Sequence, residues 1–62
     1  MDDTTFTTVD GLSGDEACIV VRQSGEHVGL AVSLKSDGDY EVFLDQDAVR
    51  RLVEALMKAA VR

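Results

Sequence analysis

From Val28 to Lys35 the chain reads Val-Gly-Leu-Ala-Val-Ser-Leu-Lys, with a large aliphatic at every even position and a small residue at every odd position through Ser33. Side chains alternate between the two faces of a strand, so this segment has one bulky apolar face and one nearly bare face. Any fold built on it must cover the bulky face and bring something close to the bare one.

The neighbouring segments fit the same sheet. Ala17 to Gln23 is a short apolar run closed by Ser24-Gly25, long enough for a strand and short for a helix. A two-residue Ser24-Gly25 turn sets Val21 opposite Val28, Ile19 opposite Leu30 and Ala17 opposite Val32. The reverse side then pairs Val20 with Gly29 and Cys18 with Ala31. Asp37-Gly38-Asp39 reads as the next turn, leading into Tyr40-Glu41-Val42-Phe43-Leu44. A three-residue loop there pairs Leu34 with Val42 and Val32 with Leu44, and puts Phe43 opposite Ser33.

Asp45 stands at a helix N-cap position, and Asp47 adds negative charge to the first turn. Val49, Leu52, Val53, Leu56, Met57 and Ala60 then recur with helical spacing, which predicts an amphipathic helix running toward the C-terminus. Asp47 with Arg51 and Glu54 with Lys58 are candidate i, i+4 ion pairs on its outer side. Residues 1–16 form an N-terminal arm: Thr4 to Val9 is rich in strand formers, and Asp10 to Glu16 has loop composition. The expected architecture is α+β, with residues 17–62 as one domain. It is an antiparallel meander of three strands, or four if the arm adds an edge, with the helix packed on one face.

Length sharpens the argument. A chain of 62 residues buries only about 60% of its unfolded surface, and a core of that size supplies roughly 3 to 5 kcal/mol. Small domains usually add disulfides, a metal or a partner. Cys18 is the single cysteine and His27 the single histidine, which excludes an internal disulfide and falls short of a four-ligand zinc site. Association is the remaining aid. The bare face holds Cys18, Val20, Gly29, Ala31, Ser33 and Phe43, an apolar patch of the kind that marks a contact surface. A symmetric dimer through these six residues is the expected closure. Its rivals are Phe6 and Leu12 folding back over the patch, or a different protein seated on it.

Charge narrows the function. Twelve acidic residues against six basic ones give a net charge of −6, which repels polyphosphates and anionic membranes at a distance. No apolar run approaches the roughly 18 residues of a membrane span, and Met1-Asp2-Asp3 lacks the basic start of a signal peptide. The expectation is a soluble cytoplasmic protein.

Chemistry-bearing motifs are weak. Asp37, Asp39 and Glu41 alternate as in part of a calcium loop, yet a full loop spreads its ligands over about twelve residues, so a solvated turn is the reading. His27 beside Glu26 lacks a nucleophile, and mid-strand Cys18 has the placement of a small core residue. Neither Gly25 nor Gly29 fits a phosphate-binding glycine pattern. No catalytic, metal or cofactor residues are therefore assigned. Arg50, Arg51, Lys58 and Arg62 form the basic cluster, the candidate contacts should the helix read nucleic acid.

A strand meander followed by a helix resembles, in element order over Val28 to Leu56, the single-stranded DNA-binding transcriptional coactivators that pair as dimers. That resemblance implies binding through basic and aromatic strand residues, of which this chain offers Arg22, Lys35, Tyr40 and Phe43. The leading expectation is a small, non-catalytic, homodimeric interaction or regulatory module with an acidic surface. A nucleic-acid-binding regulator is the alternative.

Overall fold

The structure, a computed structural model, describes residues 3–36 and 38–61. Four strands, β1 (Thr4–Val9), β2 (Glu16–Ser24), β3 (His27–Leu34) and β4 (Gly38–Leu44), form one antiparallel sheet in the order β1-β2-β3-β4, and helix α1 (Gln46–Ala60) follows. The expected α+β meander with a C-terminal helix is what the chain adopts. The arm supplies the fourth strand, with Phe6 opposite Ile19 and Thr8 opposite Ala17. It extends the sheet edge and does not fold over the bare face.

Both hairpins differ from expectation in register. The β2–β3 turn is Gly25-Glu26, so Val21 pairs with Leu30, Ile19 with Val32, Val20 with Ala31 and Cys18 with Ser33. The reason is backbone sign. Two-residue hairpin turns need positive φ at their first central position, and Gly25 adopts φ 61° there, whereas a Ser24-Gly25 turn would demand it of a serine. In the β3–β4 hairpin Leu34 pairs with Gly38, which shifts the partners of Val42 and Leu44 to Leu30 and Val28 and sets Phe43 opposite Gly29. Gly38 holds φ 90°, which suits the left-handed residue that closes a three-residue hairpin loop. Asp37, placed in the turn by sequence, lies outside the described residues.

Both shifts are even numbers of residues, so every side chain keeps its expected face. Ile19, Val21, Val28, Leu30, Val32, Val42 and Leu44 share one face, and α1 lies against it. The helix starts as expected, with Asp45 Oδ1 accepting from the Ala48 amide at 2.8 Å. Asp47 pairs with Arg50 at 2.7 Å, three residues on, in place of Arg51. Gln46 Nε2 donates to the Glu26 carbonyl at 3.1 Å and ties the start of α1 to the β2–β3 turn.

Candidate functional site

The bare face of β3 is overlaid in part from within the chain, around Gly29. Because Gly29 lies between Arg22 and Phe43 in the register, its missing side chain leaves room for both. A Cβ built on Gly29 would stand 2.9 Å from Phe43 Cε1 and 3.1 Å from Arg22 Cγ. Gly29 and Ala17 are the buried residues among those described. Past the aromatic ring, Arg22 Nη1 reaches Glu41 Oε2 at 3.2 Å across the small Ala31, and Ser33 Oγ donates to Asp39 Oδ1 at 2.6 Å. Small residues on β3 thus let long side chains of β2 and β4 meet over it.

The structure places Cys18, Val20, Gly29, Ala31, Ser33 and Phe43 together on this face. It also places there the charged residues that share their parity, Glu16, Arg22, Asp39 and Glu41, so the surface is mixed where the sequence pattern suggested an apolar patch. Cys18 is half-buried beside a shallow groove of about 250 Å³ lined by Thr7, Glu16, Ala17, Ser33 and Lys35.

The other face is different in kind. Between sheet and helix lies a cleft of about 430 Å³ whose lining is wholly apolar: Phe6, Ile19, Val21, Val28, Leu30, Val32 and Leu44 from the strands, and Val49, Leu52, Val53 and Leu56 from α1. The helix closes on the sheet at its start and leaves it open farther along. Val49 and Leu52 are half-buried, but Leu56 is 60% exposed and Met57 65% exposed, and no residue of α1 is buried. Phe6 on β1 is 51% exposed because the helix does not reach the outer strand. Sequence reasoning assigned Phe6 to the arm; the signal that would have found it is the Thr4-Phe6-Thr8 alternation, which puts Phe6 on the helix side once β1 pairs with β2.

Several other polar groups shape the loops. Asp10 accepts from the Leu12 and Ser13 amides and from Ser13 Oγ, the last at 2.6 Å. The Ser13 hydroxyl first, then the Leu12 and Ser13 N–H groups, hold the Asp10 carboxyl below its ordinary value of 3.8. Ser36 Oγ donates to Asp15, joining the β1–β2 and β3–β4 loops. Arg51 and Lys58 lie exposed on α1, Arg50 is held by Asp47, and Arg62 lies outside the described residues.

Among the described residues, no group of three His, Cys, Asp or Glu side chains could hold a metal ion, and no helix is long and apolar enough to cross a membrane. No protein-family model, curated protein or solved structure matches the chain.

Proposed function

We propose that this protein is a small, non-catalytic interaction module of the cytoplasm that works as a homodimer and presents an acidic surface to a protein partner. The observation that carries the reading is the open cleft between sheet and helix. A domain that leaves the apolar stripe of α1 half-covered is an incomplete fold by itself, and association completes it. The acidic side chains support the non-catalytic part of the reading. Asp10 shapes a loop, Asp45 caps a helix, Asp39 and Glu41 bridge strands and Asp47 pairs within α1.

Sedimentation equilibrium of the full chain tests the reading, with an expected mass twice the 6.7 kDa of one chain. A single-chain mass throughout the micromolar range would remove the dimer. Titration with single-stranded and duplex oligonucleotides near ~50 mM salt, where phosphate contacts are strong, tests the partner class. No binding is expected. Binding that Arg51→Glu with Lys58→Glu abolishes would transfer the assignment to a nucleic-acid regulator.

A further inference from the structure

We infer that the cleft between the sheet and α1 is the dimer interface, and that its occupant is the exposed second half of α1 from another copy of this chain. The inference rests on the homodimeric reading above and names the surface that reading uses. Three independent observations lead to it.

The first is area. Folded monomers follow a surface that scales with mass, and a chain of 6.7 kDa should expose about 3,900 Å². This one exposes 5123 Å². The excess is roughly 1,200 Å² per chain, so two copies covering each other's excess would bury about 2,400 Å² in all, within the range of obligate homodimers.

The second is charge. Two chains of net charge −6 repel, which favours a meeting surface that brings few carboxylates together. Every Asp, Glu, Arg and His in the four strands, namely Glu16, Arg22, His27, Asp39 and Glu41, lies on the face away from the helix. The helix side of the sheet carries no charged strand residue among those described. A partner of opposite charge would gain nothing there, whereas a second copy buries apolar surface without bringing like charges together.

The third is self-complementarity. At about 100° per residue, Ala48, Val49, Leu52, Val53, Leu56, Met57, Ala59 and Ala60 cover roughly half the circumference of α1, wider than the roughly 100° stripe that packing on one surface requires. Its first half sits on its own sheet. Leu56 and Met57 in its second half are exposed, as are Phe6, Val32 and Val42 on the sheet. Each copy therefore offers both an unfilled wedge and an unused stripe, the condition for a twofold interface in which each part meets its counterpart.

The test compares the masses of wild type, Leu56→Asp and Phe43→Asp. Leu56→Asp is expected to weaken self-association about a hundredfold or more, the scale of burying an unpaired carboxylate, while Phe43→Asp stays dimeric. Dissociation by Phe43→Asp with an unaffected Leu56→Asp would overturn this inference and leave the homodimer standing on the opposite face. A monomeric wild type would overturn both. Should Leu56→Asp fail to fold, isotope-filtered NOEs between labelled and unlabelled wild-type chains decide. Contacts from the Phe6 ring to Leu56 and Met57 methyl groups are expected, and intermolecular contacts confined to Phe43 and Val20 would contradict the inference.

Discussion

The two faces of the sheet solve the covering problem in opposite ways. On the face away from α1, three small residues of β3 are overlaid by Arg22, Phe43, Glu41 and Asp39 from the flanking strands, through ring contact, an ion pair and a hydrogen bond. On the helix face the side chains are large and apolar, and the element meant to cover them touches only part of them. On the bare face the backbone at Gly29 is buried beneath neighbouring side chains although Phe43 itself stays half-exposed, whereas the bulky face opens into an apolar cleft. Cross-strand side-chain contacts satisfy the first because they need only neighbours about 5 Å apart, whereas the second needs a second layer of structure.

The contrast breaks first under truncation. Leu30→Ala on the helix side removes a side chain that lines the cleft with α1 and stands opposite Val42 of β4, with an expected cost of about 2 to 4 kcal/mol in urea unfolding. Val20→Ala on the other face is expected to cost about 1 kcal/mol. Equal costs would erase the difference between the faces.

A smaller effect sharpens the local closure. In Gly29→Ala the new methyl meets the Phe43 ring at 2.9 Å, and displacing the half-exposed ring is expected to cost about 1 kcal/mol. In a Phe43→Ala background the same substitution should be neutral or mildly stabilising, because the obstacle is gone and alanine loses less backbone freedom than glycine. An additive double-mutant cycle would show that the ring does not rest on Gly29.

The smallest effect concerns β1, which brings Phe6 to the helix side. Its connection to β2 is shaped by the Asp10 carboxylate, whose pKa lies below 3.8 in the folded chain. A group with a depressed folded pKa contributes stability above its unfolded value and loses it as pH falls through the folded value. The Leu12 and Ser13 amide resonances should therefore titrate with Asp10 at a midpoint below 3.8. A midpoint above 3.8 would contradict the hydrogen bonding described.

Much of this was legible in the residues. The parity of β3 assigns both faces, the Asp45 cap and helical spacing place α1, and any even shift of register preserves the result. The offset itself was not legible from hydrophobic pattern, because registers two residues apart bury the same set. At the β2–β3 turn it is decided by where glycine can take positive φ, at Gly25. The contacts that depend on the offset, Phe43 on Gly29 and Arg22 with Glu41, were therefore hidden. The opening of the cleft was hidden for another reason: periodicity shows which side of a helix is apolar and says nothing of how much of that side its own sheet can reach.

If the helix face is completed only by a second copy, stability must depend on protein concentration. The urea midpoint measured at two concentrations a hundredfold apart is the most direct test. Coupled dissociation and unfolding predict a higher midpoint in the concentrated sample, equivalent to about 2.8 kcal/mol. A midpoint that does not move would mean that one chain, with its cleft open to water, is the whole folding unit.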